Sequence, residues 1–188
     1  MASDAITAAF EATAALHREW AATHGEELQR ASSVLLAAFA KGGTVLSFGN
    51  GGSATDAQHF AGELVGRFLK ERRALPAVAL SADTAILTSL GNDYGFDTVF
   101  SRQVEALGRA GDVAFGISTS GASKNVTRAL MTARDRGMTT IALTGKDGGE
   151  TGRAADVHLN VPSASTPRVQ EVHRTILHVL CELIERDL

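Results

Sequence analysis

Ser47-Phe-Gly-Asn-Gly-Gly-Ser-Ala-Thr-Asp-Ala-Gln-His-Phe-Ala-Gly-Glu63 passes from an apolar strand, Thr44 to Phe48, through a glycine-rich turn into a helix. Such a turn lets backbone N–H groups approach an anion at a helix N-terminus. His59 and Glu63 stand four residues apart on that helix, roughly 40° past one full turn, so both side chains share a face. The stretch thus combines an anion-binding turn with a metal-binding or acid–base pair. Gly49-Asn-Gly51-Gly-Ser-Ala54 also satisfies the dinucleotide fingerprint, which makes a nucleotide-dependent oxidoreductase a rival reading. Its ribose acid is expected about 20 residues on, and Asp83 lies further along.

Working outward, short β-like runs alternate with helical ones. The expected strands are Thr44–Phe48, Ala77–Leu80, Val113–Ile117, Thr140–Leu143 and Val157–Val161. Helices are expected from Ser3 or Asp4 to Trp20, then over Glu26–Lys41, Ala54–Leu69, Thr84–Leu90, Thr98–Arg109 and Ser123–Arg136. A final helix is expected from near Pro167 to the end. This alternation predicts an α/β fold with a parallel sheet between helical layers. Ligands of such sheets bind at the carboxyl ends of the strands, where Gly49, Gly51, Gly52, Gly121, Gly145, Gly148 and Gly149 cluster. The first two helices have no obvious place in the layers, and oligomer contacts are a plausible use for them.

Ser118-Thr-Ser-Gly-Ala-Ser123 follows the third strand and opens a helix. Its hydroxyls would sit where helix N–H groups point outward, an arrangement that favours a phosphate monoester; a serine-rich capping turn is the plainer alternative. On the last helix, Gln170 and His178 are separated by about 80° beyond two turns and can reach one pocket. With His59 and Glu63 they form a nitrogen and oxygen set suited to zinc. His173, three residues after Gln170, competes with His178 for that place. His17, His24 and His158 have no partner pattern and read as structural or exposed, while Trp20 and Tyr94 read as packing residues. Thr144-Gly-Lys-Asp-Gly-Gly149 lacks P-loop spacing and reads as a tight turn.

The composition sets the outer limits. The 188 residues, 44% hydrophobic and 21% charged, fit one globular domain over 1–188. A net charge of −3 gives no footprint for nucleic acid or an anionic membrane. Lys70-Glu71-Arg72-Arg73, the one short basic cluster, reads as a solvated helix end. A single cysteine, Cys181, excludes an intrachain disulfide, and no apolar run approaches the ~20 residues of a membrane span. With no signal-like N-terminus visible, a cytoplasmic protein is expected.

These segments together resemble the bacterial phosphoheptose isomerases (sedoheptulose 7-phosphate isomerases) of the sugar-isomerase-domain superfamily. The resemblance is carried by Gly49–Ser53, Asp56–Phe60, Glu63–Arg67, Gly91–Phe96, Gly116–Gly121, Leu143–Gly149, Arg168–His173 and His178. It implies a five-stranded parallel sheet in a three-layer α/β/α sandwich, preceded by N-terminal helices over 1–41 that serve oligomer contacts. It implies a homotetramer with interface active sites and one zinc per subunit on His59, Glu63, Gln170 and His178, choosing His178 over His173. Asn50, Gly51, Gly52, Ser53, Asn92, Asp93, Glu63 and Gln170 would meet substrate, and Ser118, Thr119, Ser120 and Ser123 would hold its phosphate. Glu63 would be the base and His178 the acid in converting sedoheptulose 7-phosphate to D-glycero-D-manno-heptose 7-phosphate, the first step of ADP-heptose biosynthesis. Two departures are Ala122, where many relatives carry asparagine, and Thr166-Pro167, where some carry an acid. The superfamily also holds non-catalytic sugar-phosphate sensors and a replication-initiator-binding relative, which would not need the metal and acid–base set.

Overall fold

The computed structural model describes residues 2–188, with side chains described from Asp4 onward, so the Ser3 cap lies outside the described side chains. Helices α1 (Ala2–Thr23) and α2 (Gly25–Ala40) lead into β1 (Val45–Gly49), α3 (Gly52–Val65) and β2 (Ala77–Ala79). Next come α4 (Thr84–Tyr94), a 3₁₀ turn at Phe96–Thr98, α5 (Ser101–Leu107), β3 (Val113–Ser118) and α6 (Lys124–Asp135). The chain finishes with β4 (Thr139–Gly145), α7 (Gly149–Arg153), β5 (Val157–Val161) and α8 (Thr166–Asp187). The five strands form one parallel sheet in the order β2-β1-β3-β4-β5.

Strands β1 and β3 are buried along their whole length, and β4 nearly so, as expected of apolar runs covered on both faces. Their side chains alternate in size. Val113, Phe115, Ile117, Ile141 and Leu143 meet α2, α3 and α8, whose contributions include Leu35, Phe39, Phe60, Leu64, Ile176 and Leu180. The opposite face offers Ala114, Gly116 and Ala142, so α6 approaches closely through Val126, Ala129 and Leu130. A methyl group on Gly116 would stand 2.9 Å from Val126 and 3.2 Å from Leu130. The low aromatic content therefore appears as close helix-on-sheet packing. Helix α2 belongs to this architecture, contrary to expectation: Leu28, Ala31, Leu35 and Phe39 lie in the main core, and α2 packs on α8 and β5. Helix α4 is the opposite case, with no buried residue.

Helix boundaries and two side-chain roles differ from the sequence reading. Helix α3 stops at Val65 instead of Leu69, because the N–H groups of Phe68, Leu69 and Lys70 leave the helical pattern and donate to the Glu185 carboxylate, each at 2.8 Å. Within the basic cluster Arg72 is not solvated. Its side chain is 9% exposed and caps the end of α3 by donating to the carbonyls of Glu63, Leu64 and Gly66. The helix expected over Thr98–Arg109 is a 3₁₀ turn followed by the shorter α5. Asp83, the rival reading's ribose acid, instead caps α4 by accepting from the Ile86 N–H at 2.9 Å.

Candidate active site

Strands β1 and β3 are neighbours, paired Gly49 to Ile117 at their carboxyl ends, yet the chain leaves them in opposite directions, toward β2 and toward β4. That divergence is the topological switch point at which open α/β sheets receive ligands. The two polar loops flank it. Asn50 and Asn125 bridge it through a reciprocal pair of amide hydrogen bonds, both 2.9 Å, tying the glycine turn to the first turn of α6. Asn125 is buried and was not picked out from the sequence. The usable signal was an amide in a helical first turn directly after a serine loop.

In that serine loop the Ser118 hydroxyl lies 2.8 Å from that of Ser123 and 3.3 Å from that of Ser120. Ser120 also accepts from the Ala122 N–H, and Thr119 is half-buried alongside. Ser123 is the N-cap residue of α6, but its side chain makes no capping bond, so the hydroxyl belongs to the serine group and not to the helix. Gly121 holds the loop down. Its φ is +66°, and any β-carbon would overlap the Gly148 carbonyl and the Gly149 backbone of the β4–α7 turn. The N–H of Thr151 donates to the Gly121 carbonyl at 2.9 Å. Hydroxyls and the positive end of a 12-residue helix thus converge, which suits a phosphate group.

Across the switch point, Ser47 donates from β1 to the Ala57 carbonyl and fixes α3 against the sheet. Ser53 is buried in the first turn of α3, after the exposed Gly51 and Gly52. Gly52 lies under the Gln170 amide, so closely that a β-carbon there would collide with it. Helices α3 and α8 run together, and His59, Glu63 and His178 meet between them. Their ligand atoms all lie within 4.8 Å of one another, a grouping that could hold a metal ion. The two Nε2 atoms are 2.8 Å apart, and His59 Nε2 is 3.4 Å from a Glu63 oxygen. Two imidazole nitrogens aimed at each other must share either a proton or a cation. A tetrahedral ion with bonds of about 2.0–2.1 Å would separate its donors by about 3.3 Å, so small shifts of this set accommodate one.

The electrostatics favour neutral, ligand-competent imidazole. Burial holds His59 below its ordinary pKa, with the Arg174 guanidinium adding to the effect and Glu63 opposing it. Arg174 contacts buried Asp56 through Nε at 2.9 Å and a second nitrogen at 2.6 Å. Burial raises the Asp56 pKa, and Arg174 limits the rise. A cleft of about 810 Å³ is lined by Gly52, Asp56, Gln170 and Arg174, together with Phe10 and His17 of α1.

The remaining sequence candidates fall elsewhere. His173 is fully buried and its Nε2 bonds the Thr144 carbonyl at 2.9 Å; it has no part in the histidine cluster. Asn92 donates to neighbouring Asp93 at 2.7 Å, and both are exposed on α4 with no hydrogen bond to the cluster or the serine loop. His158 lies beneath Gly148 and Gly152, bonded to the Thr144 hydroxyl, and His24 stacks on Trp20. Trp20 is buried and donates to the Asn160 carbonyl, whereas Tyr94 is exposed beneath Arg102.

A parallel sheet with a serine loop and a glycine turn at its switch point defines a phosphosugar-binding α/β domain, and the SIS domain pattern matches residues 10–145. A phosphoheptose isomerase of Citrifermentans bemidjiense is 59% identical over 161 residues, 86% of this chain and 84% of that one. Among solved structures, the phosphoheptose isomerase of Neisseria gonorrhoeae superimposes with a TM-score of 0.94 at 46% identity, over 99% of this chain and 100% of that one. That of Francisella tularensis gives 0.95 at 39%, over 99% of each chain. The chain belongs to the SIS-domain family and, within it, to the phosphoheptose isomerases.

Proposed function

We propose that the protein is an aldose–ketose isomerase interconverting sedoheptulose 7-phosphate and D-glycero-D-manno-heptose 7-phosphate. The observation that carries this reading is the meeting of His59, Glu63 and His178 between α3 and α8, in a phosphoheptose isomerase fold that carries the serine loop at its switch point. Ser118, Thr119, Ser120 and Ser123, with the N-terminus of α6, hold the phosphate. Asn50, Gly51, Gly52, Ser53 and Gln170 line the sugar. Glu63 moves a proton between C1 and C2 through an enediol-type intermediate, and His178 protonates the carbonyl oxygen, each through the atom that a bound zinc would leave free: the second Glu63 oxygen and the His178 Nδ1–H. His59, Glu63, Gln170 and His178 would hold one zinc ion, which when bound polarises the sugar oxygen as a Lewis acid.

The whole chain acts as one domain in a homotetramer, with α1 and α2 at subunit contacts. Ile6, Phe10, Ile86, Tyr94 and Phe96 are all exposed, which supports burial of α1, α4 and the following 3₁₀ turn by neighbouring copies. Asn92 and Asp93 then belong to substrate pockets completed between subunits. A cytoplasmic location and the first step of ADP-heptose biosynthesis accompany this reading. No described helix is long and apolar enough to cross a membrane.

A coupled assay with sedoheptulose 7-phosphate tests the function. Turnover is expected, lost on treatment with a chelator and restored by zinc. Binding of the sugar phosphate without turnover would favour a non-catalytic sensor, and calorimetric binding of NAD or NADP would favour the oxidoreductase.

A further inference from the structure

Glu185 and Arg72 are two charged groups that the proposed chemistry does not use. Their side chains are 2% and 9% exposed, and Arg72 Nε lies 3.2 Å from Glu185 Oε1. Isolated charges at such depth are costly, and this pair is held by several backbone partners, although Arg72 Nε itself has only the Glu185 carboxylate nearby and makes no aligned hydrogen bond. Glu185 accepts the three N–H bonds from Phe68, Leu69 and Lys70. Burial alone would raise its pKa, but these amides and Arg72 outweigh that and hold it below the ordinary range, so it stays ionised. Arg72 in turn donates to the Glu63 carbonyl at 2.6 Å and the Leu64 carbonyl at 2.8 Å. The segment pinned in this way presents the Phe68 ring to His178, stacked at 5.3 Å with planes 26° apart.

We infer that Arg72, Glu185 and Phe68 form a positioning clamp that sets the His178 imidazole against Glu63. The clamp joins the end of α3, which carries Glu63, to α8 two turns beyond His178. Phe68 then closes one face of that imidazole, which limits its rotation and keeps Nε2 aimed at His59. None of the three residues needs to touch substrate. Groups of this kind orient a ligand set without belonging to it, and their loss costs about 10–100-fold in metal affinity or activity.

The inference rests on Glu63 and His178 being the working pair, so Glu63→Gln and His178→Gln serve as controls for that reading. Kinetics and zinc affinity, the latter by competition with a chromogenic chelator, are measured for Phe68→Leu, Phe68→Tyr and Glu185→Gln. Phe68→Leu and Glu185→Gln are expected to lower kcat at least tenfold with KM within about twofold, and to weaken zinc binding about tenfold. Phe68→Tyr, which keeps the stacked ring, is expected to restore both. Wild-type kcat and zinc affinity in folded Phe68→Leu overturn the clamp. Phe68 is half-buried, so that variant decides the matter even if Glu185→Gln does not fold. If the two control variants keep turnover, the base and acid assignment has failed, and zinc affinity still judges the clamp.

Discussion

Replacing Glu63 or His178 by Gln is expected to lower kcat by about 10²–10⁴-fold while the protein stays folded, the range that a positioned acid or base supplies. Glu63 is half-buried, its side chain 23% exposed, and is no part of either hydrophobic cluster, so the uncharged amide fits the same space. What the Gln variant loses is a site able to accept a proton from the sugar carbon. His178 likewise loses a ring nitrogen able to give one to the carbonyl oxygen. Steady-state kinetics with sedoheptulose 7-phosphate, beside thermal melts, checks both variants. A kcat within tenfold of wild type in either refutes the role given to that residue.

The second large effect concerns stability. His173 sits at the core side of α8, its Nε2 on the Thr144 carbonyl and its Nδ1 without a partner. Burial pushes its pKa down to about 4, from about 6.5 in the unfolded chain; the Thr144 bond opposes this only in part. Above pH ~6.5 both states are neutral and the group adds no pH dependence. As the pH falls toward 4 the unfolded chain takes up a proton that the folded protein refuses, so stability is lost across that window. The full loss is roughly 3 kcal/mol, of which about 2 kcal/mol falls between pH 7.5 and pH 5. Urea unfolding of wild type and His173→Asn at those two pH values isolates the effect, since other titrating groups are common to both. Wild type should lose about 2 kcal/mol more than the variant. Equal losses would mean that the buried imidazole is protonated in the folded state.

The sheet was legible because β1, β3 and β4 are apolar runs covered on both faces, and local composition alone marks such strands. The glycine turn and serine loop were legible for a related reason: glycine and serine cluster where a strand gives way to a helix. Long-range causes were hidden. The expectation that α3 runs to Leu69 passes over Gly66, the local stop that follows its last residue; the acceptor for the N–H groups beyond it is Glu185, more than a hundred residues away. The same carboxylate holds Arg72 as a cap with its side chain 9% exposed, while Lys70, Glu71 and Arg73 are exposed as the sequence reading expected. Helix α7 was missed because five residues containing two glycines carry no periodic signal. In the candidate site, the i,i+4 spacing of His59 and Glu63 was readable, but spacing could not decide between His173 and His178. Packing separates them, placing one ring in the core and the other against His59. Asn125 and the Asp56–Arg174 pair escaped notice because their partners lie on other elements.

Anomalous diffraction at the zinc edge, from crystals grown with zinc and sedoheptulose 7-phosphate, tests the central claim most directly. One peak is expected in contact with His59 Nε2, a Glu63 oxygen, the Gln170 amide oxygen and His178 Nε2, with the sugar phosphate among the hydroxyls of Ser118, Thr119, Ser120 and Ser123. A metal bound elsewhere, or a phosphate away from that loop leaving C1 and C2 out of reach of Glu63 and His178, would contradict it.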